Sequence, residues 1–372
     1  MKLTCQQIPF ALIYNLTIFG KTPFSKEIVL FYRRFGGSII GFALISALAF
    51  CCSPPSGQPA GDSLAGIDSI PGWPRDVRRV EIRSSYDSTV QPALFQAPEQ
   101  LEKPAPLLVV LHTWSGDYFQ QSSLPYLEQA RERGWVFIHP DFRGPNNNPQ
   151  ATGNPAAISD ILDAVAYAKS NSPVDTSRIY LVGTSGGGHM ALLTAGSRPQ
   201  LWAGVSAWAP ITDLARWYEE SLQRQLKYAA EIAASCGGPP DQSEEIRSRY
   251  EQRSPVSVLA GAAGVAVEIC AGIHDGHTGS VPVGHTLHAF NILAGANGHG
   301  EKRLADRQIE WFEKEESVPV ELAAEREDDP DYGEKAVLFR RTAGPSRVTI
   351  FAGGHEGIAQ AAVNWLARQR KR

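Results

Sequence analysis

The stretch Ser177–Ala195, SRIYLVGTSGGGHMALLTA, decides how this chain is read. Arg178–Val182 is a short apolar run with strand-forming residues, and Gly186–Ser197 has helical composition. Between them stands Gly183-Thr-Ser-Gly-Gly187. A strand that turns into a helix over so few residues strains its corner residue, and flanking glycines remove the side chains that would collide there. Ser185 at that corner faces the positive end and free N–H groups of the following helix, which favour a developing oxyanion. A bare G-x-S-x-G match is weak; with a strand before it and a helix after it, it predicts Ser185 as a nucleophile.

Working outward, the alternation continues. Val77–Ser84 and Val90–Gln96 have the two-residue period of strands. Pro106–Leu111 is a continuous apolar run, as a strand buried on both faces requires. Leu124–Arg133 reads as a helix stopped by Gly134, Trp135–His139 as a strand, and Ile158–Ser170 as a helix. Trp202–Ala207, Val265–Ala271 and Val348–Phe351 continue the strands, and Ile358–Arg368 closes with a helix. This interval predicts an α/β fold with a doubly wound, mostly parallel sheet covered on both faces. Ile211–Val258 is rich in helix formers and predicts a helical insertion, either solvated surface or a lid over a cleft. The acidic stretch Glu313–Glu334 reads as solvated surface.

A serine hydroxyl needs a base, and the base needs a carboxylate to hold its tautomer. In a sheet of this kind the order is serine, acid, histidine, each on a loop after a later strand. His355, in FAGGHEG after the last predicted strand, has that placement among nine histidines. Asp275, in GIHDG, is the first carboxylate beyond the strand Val265–Ala271; Glu268 lies inside the strand and is the poorer candidate. The backbone N–H groups of Gly186 and Trp114, the latter in HTWSG after Pro106–Leu111, are the expected oxyanion donors. Trp114, Trp217 and Tyr218 are the expected substrate-binding aromatics. His274, His277, His285 and His288 crowd around Asp275, but no helix carries zinc spacing such as H-E-x-x-H, so they read as support for the acid loop. Neither metal nor cofactor is expected.

The chain has 372 residues, 43% of them hydrophobic and 20% charged, with a net charge of −4. That balance excludes disorder and a polytopic membrane protein, and it supplies no field for nucleic acid. Arg33 and Arg34 precede the apolar run Ser38–Phe50, which is short for a bilayer span and has the layout of an export signal. Cys51 and Cys52 follow directly, as in a bacterial lipoprotein signal, although Phe50 stands where a small residue is usual. Residues 1–52 are thus expected to target the protein, with lipidation at Cys51 or Cys52, a single anchor helix or plain secretion as the outcomes. The long stretch ahead of the signal admits a start at Val29 or Leu30. Residues 53–75, dense in Pro, Gly and Ser, read as a flexible linker, and 76–372 as the catalytic domain. Cys236 and Cys270 are either a disulfide or, more simply for Cys270 in its apolar run, buried thiols.

Four segments in order, SRIYLVGTSGGGHMALLTA, RYEQRSPVSVL, GIHDGHTGSVPVGHT and FAGGHEG, resemble the catalytic domain of the prolyl oligopeptidase family of α/β-hydrolases, and HPDFRGP resembles its arginine-glycine turn. The likeness runs from about Pro106 to Arg368. It implies the α/β-hydrolase fold, a serine hydrolase cleaving a peptide or ester bond through an acyl-enzyme, and Ser185, Asp275 and His355 as its triad. HTWSG departs from the family's glycine-rich oxyanion segment, and there is no room between Ser53 and Pro106 for the β-propeller of its oligopeptidases. Exported single-domain relatives act as esterases on acetyl or feruloyl groups of polysaccharides, which is the alternative reading. A third is a non-catalytic binding protein on the same scaffold. The expected partner is a small-molecule, peptide or polysaccharide-ester substrate, with membrane contact only through an N-terminal anchor.

Overall fold

The computed structural model describes residues 70–371, so the export segment, Cys51, Cys52 and most of the linker lie outside the described residues. Nine strands form one sheet: β1 (Arg78–Arg83), β2 (Val90–Gln96), β3 (Ala105–Leu111), β4 (Val136–Pro140), β5 (Val174–Thr184), β6 (Gly204–Trp208), β7 (Val267–Gly272), β8 (Val337–Ala343) and β9 (Ser346–Phe351). Their order is β1-β2-β4-β3-β5-β6-β7-β9-β8. The six strands from β4 to β9 are parallel, while β1, β2 and β8 run antiparallel to their neighbours at the edges.

The apolar run in β3 is the reason for a two-sided core. Leu107, Val109 and Leu111 join one cluster, with Ile161, Val165 and Leu192, while Leu108 and Val110 point into the other, with Leu127 and Leu366. The first face is covered by α2 (Pro155–Asn171) and α3 (Gly186–Ser197), the second by α1 (Leu124–Glu132) and α9 (Ala359–Ala367). The insertion is helical: α4 (Leu214–Gln223), α5 (Tyr228–Cys236) and α6 (Glu244–Arg253) enclose a core of their own. Asn154 caps α2 by accepting from Ala156 N at 2.8 Å, and Asp213 caps α4.

Four features differ from the sequence reading. The linker ends before residue 70, because Ile70 and Trp73 are packed into the core and the Trp73 indole donates to Phe119 O at 3.1 Å. Strand β8 escapes a hydrophobicity pattern because Arg340 and Arg341 stand at its centre; Arg340 is buried, and its charge is matched by Glu327 and Asp329. Helices α7 (Gly284–Ala296) and α8 (Asp306–Glu315) stand where no element was read from the sequence, and only the end of α8 falls in the acidic stretch read as surface. That surface is also partly inward, since Glu313 pairs with Arg216, and Leu322 and Tyr332 are buried. Cys236 and Cys270 are both free and buried, which removes the disulfide.

His139, at the end of β4, is fully buried beside Trp73 and donates from Nδ1 to Val110 O at 2.7 Å. Burial pushes its pKa down to about 3. The unfolded chain therefore binds a proton there that the folded chain refuses, and stability falls as pH drops from about 6.5 towards about 3. His139→Gln keeps a donor for Val110 O and removes the titration. Its urea midpoint should fall less steeply than that of the wild-type protein between pH 6.5 and 4.5.

Candidate active site

Ser185 joins β5 to α3 with φ 59° and ψ −119°, a conformation that side-chain-bearing residues adopt only under constraint. The constraint is visible in its neighbours. A Cβ on Gly183 would lie 2.3 Å from the Gly187 carbonyl, and one on Gly187 would lie 2.4 Å from Leu111 O and 2.7 Å from His112 O. The chain can cross so closely to β3 only because these positions carry hydrogen. Ser185 N donates to Trp208 O at 2.8 Å, which pins the corner to β6.

Asp275 and His355 come together from loops after β7 and β9. His355 Nδ1 lies 2.7 Å from Asp275 Oδ2, and the carboxylate is almost fully buried. Asp275 Oδ1 accepts from Gly276 N at 3.0 Å and Val281 N at 3.2 Å, so both of its oxygens are engaged. Because the carboxylate can only accept, Nδ1 carries the proton and Nε2 is left as the basic nitrogen. The two loops are laced by backbone bonds, Ile273 N to Phe351 O and His274 N to Gly353 O. A Cβ on Gly272 would lie 2.3 Å from Gly353, a second place where glycine permits the approach.

The histidine loop also meets the serine corner. A Cβ on Gly357 would lie 2.4 Å from Thr184 Oγ1, and a cavity of about 260 Å³ is lined jointly by Thr113, Gly183, Thr184, His355 and Gly357. Among the described residues no hydrogen bond joins the Ser185 hydroxyl to His355, whose ring is bonded to Asp275.

The Trp114 and Gly186 backbones are adjacent: a Cβ on Gly186 would lie 2.5 Å from Trp114 N. The Trp114 carbonyl accepts from Asn146 N at 2.8 Å, and neither the Trp114 nor the Gly186 N–H meets a protein acceptor among the described residues. Three side chains hold this loop. Gln120 Oε1 accepts from Thr113 N at 3.0 Å, Glu231 Oε2 accepts from the Trp114 indole at 2.8 Å, and His112 stacks on Phe142 at 3.8 Å. Glu231 acts across the fold, so no spacing in the chain could reveal it, whereas Gln120 lies seven positions from Thr113.

The expected aromatic platform is corrected. Trp114, Trp217 and Tyr218 are buried, with Trp114 edge-on to Trp217 at 4.8 Å and the Trp217 indole donating to Ser280 O at 2.9 Å. They belong to one cluster, in which Trp114 from the loop after β3 packs into the core that the three short helices need in order to stay packed. Glu268 is tied to Arg347 and Ser206 within the sheet, away from the histidine loop. The four histidines are separately engaged: His274 with Glu316, His277 with the Glu313 carbonyl, and His285 with Glu220, while His288 lines a different cavity of about 670 Å³ with Arg216 and Arg303. Arg143 of HPDFRGP is buried and paired with Asp87 and Asp160, a structural role.

The sheet order, the strained serine corner and the two converging loops define an α/β-hydrolase. The sequence profile of the prolyl oligopeptidase family matches residues 122–310, half of the chain, and the chain belongs to that family. Among curated proteins it is similar to feruloyl esterase B of Thermothelomyces thermophilus, 28% identical over 31% of this chain and 42% of that protein. It is also similar to acetylxylan esterase A of Emericella nidulans, 23% identical over 58% of this chain and 82% of that protein. Among solved structures, a dipeptidyl aminopeptidase IV-type protein of Bacteroides ovatus shares the fold at TM-score 0.51 and 16% identity, over 78% of this chain and 34% of the other. The chain thus spans less than half the length of the first of these relatives and about a third of the solved one.

Gly187→Ala tests the corner. The methyl group would meet two carbonyls that belong to β3 and its loop, so backbone must move. The variant should lose roughly 1–3 kcal/mol of stability in urea titration. Its labelling by a fluorophosphonate should fall at least tenfold under conditions where the protein remains folded by circular dichroism.

Proposed function

We propose that this protein hydrolyses carboxylic esters through an acyl-enzyme, with Ser185 as nucleophile, His355 as general base then acid, and Asp275 holding the imidazole. The observation that carries the reading is the 2.7 Å bond from His355 Nδ1 to Asp275, which leaves Nε2 basic on a loop packed against the corner that bears Ser185. Nε2 takes the hydroxyl proton as Oγ attacks the acyl carbon. The oxyanion is met by the N–H groups of Gly186 and Trp114, and the proton then passes to the leaving oxygen. Water repeats the cycle on the acyl-enzyme and releases the acid.

An ester is favoured over a peptide bond by the relatives, which include a feruloyl and an acetylxylan esterase. The described chain ahead of β3 also belongs to the sheet itself, as β1 and β2. The peptidase reading rests on the family to which the chain belongs. An alcohol leaves more readily than an amine, which must be protonated first, so a panel separates the two. Methyl ferulate and p-nitrophenyl acetate should be turned over and a prolyl nitroanilide should not; amide turnover comparable to ester turnover would replace the esterase reading. Ser185→Ala and His355→Ala should each lower kcat by about 10⁴-fold or more, and the double variant should be no worse than either. Wild-type protein that is folded yet not labelled by a fluorophosphonate would instead support a binding protein.

The reading places the enzyme in the cell envelope or medium, with residues 53–69 as a tether and 70–372 as the catalytic domain. No helix among the described residues is long and apolar enough to cross a membrane. Labelled palmitate should enter the wild-type protein in a bacterial host and be lost from Cys51→Ser/Cys52→Ser; no incorporation in either would leave plain secretion or an anchor helix.

A further inference from the structure

Three basic side chains lie on α4 and the turn that follows it. Arg216 is matched by Glu220 and Glu313, and Lys227 by Glu231 at 3.0 Å. Arg224 has no carboxylate in ion-pair range among the described residues. It is half-buried, and its guanidinium donates to Gly279 O and, at 3.4 Å, to Ser280 O. Two carbonyls orient a guanidinium without cancelling its charge, and they leave N–H groups over.

The anchor sets where that charge stands. Gly279 is packed on the acid–base pair: a Cβ there would lie 2.2 Å from Asp275 Oδ1 and 2.6 Å from His355 Cβ. A general acid must reach the leaving heteroatom, so the ground beyond the imidazole is the leaving-group side of the scissile bond. On the other side, Lys227 donates to Ser115, next to the oxyanion loop, but its charge is already neutralised by Glu231.

We propose that Arg224 is a specificity residue which binds a carboxylate on the leaving-group half of the substrate. The preferred substrates would be acyl esters of hydroxy acids or of uronic-acid units. This rests on the esterase reading above and narrows its substrate class. Arg224 is a binding residue here, fixed by the acid loop and reached only by substrates long enough to extend past His355.

The test compares 4-acetoxybenzoate with its methyl ester, which share a leaving oxygen and differ in the carboxylate. The wild-type ratio of kcat/KM, anionic over neutral, should fall about tenfold in Arg224→Gln, through KM, as expected for one lost charge-assisted hydrogen-bonded pair. Arg224→Lys should retain an intermediate ratio, since it keeps the charge and loses the fork. An unchanged ratio, including one in which both substrates suffer equally, would overturn the proposal in favour of Arg224 merely supporting the Gly279–Ser280 loop. A second arm does not need catalysis. Calorimetry on Ser185→Ala should show 4-hydroxybenzoate binding about tenfold more tightly than its methyl ester, and Ser185→Ala/Arg224→Gln should show no difference. Equal binding in the first would overturn the carboxylate site. Absence of any ester hydrolysis by the wild-type protein, with the calorimetric difference intact, would instead remove the esterase reading.

Discussion

The constraint on which the site depends is a close approach of backbones. β5 runs into α3 beside the end of β3, and Gly183, Gly187, Leu111 and His112 meet with no space for a β-carbon. Everything the site does follows from that approach. It holds Ser185 at positive φ, aims α3 and its unpaired N–H groups at the same point, and sets the loop after β3 within reach of Gly186. Strain of this kind costs on the order of 1–3 kcal/mol and persists only where the surroundings over-determine it. Here they do so with a helix buried from Gly186 to Ala195 and a five-residue pairing between β5 and β6.

That constraint explains what was legible in the chain. The corner needs its glycines within two positions of the serine, so the requirement is written locally, as GTSGG, and can be read without structure. Asp275 and His355 were legible for a related reason. Each is a polar residue directly past an apolar strand, and a parallel sheet brings strand ends to one edge however far apart they lie in sequence. Their pairing across 80 positions is a consequence of topology.

What escaped has the opposite character. The contacts of Glu231 with the Trp114 indole and of His112 with Asp141 O are tertiary, and their members share no spacing. Trp217 and Tyr218 were misassigned because aromatic residues in an insertion serve two purposes that look alike in sequence, and Trp114 packs into the same cluster from the loop after β3. A short helical insertion cannot borrow the sheet's core, and it must bury large side chains of its own. β8 was hidden because its buried arginines carry a charge pattern that belongs, by periodicity, to a surface.

The insertion therefore contributes to the site through polar atoms on its inner edge. Glu231 fixes the Trp114 indole, Lys227 reaches Ser115, and Arg224 and the Trp217 indole both donate to the loop that carries Asp275. Helices α4 and α5 are thus bonded to the oxyanion loop and to the acid loop at once. A unit bonded to both sides of the reacting centre is poorly suited to swing away as a lid, because opening would break several hydrogen bonds to carbonyls and charged groups together. It is well suited to a fixed wall. Selectivity on such a wall comes from charge and hydrogen bonding at preset positions, and discrimination by closure has little part in it. On the proposed function, the sheet supplies the chemistry, and a rigid polar rim selects the leaving group that lies against it.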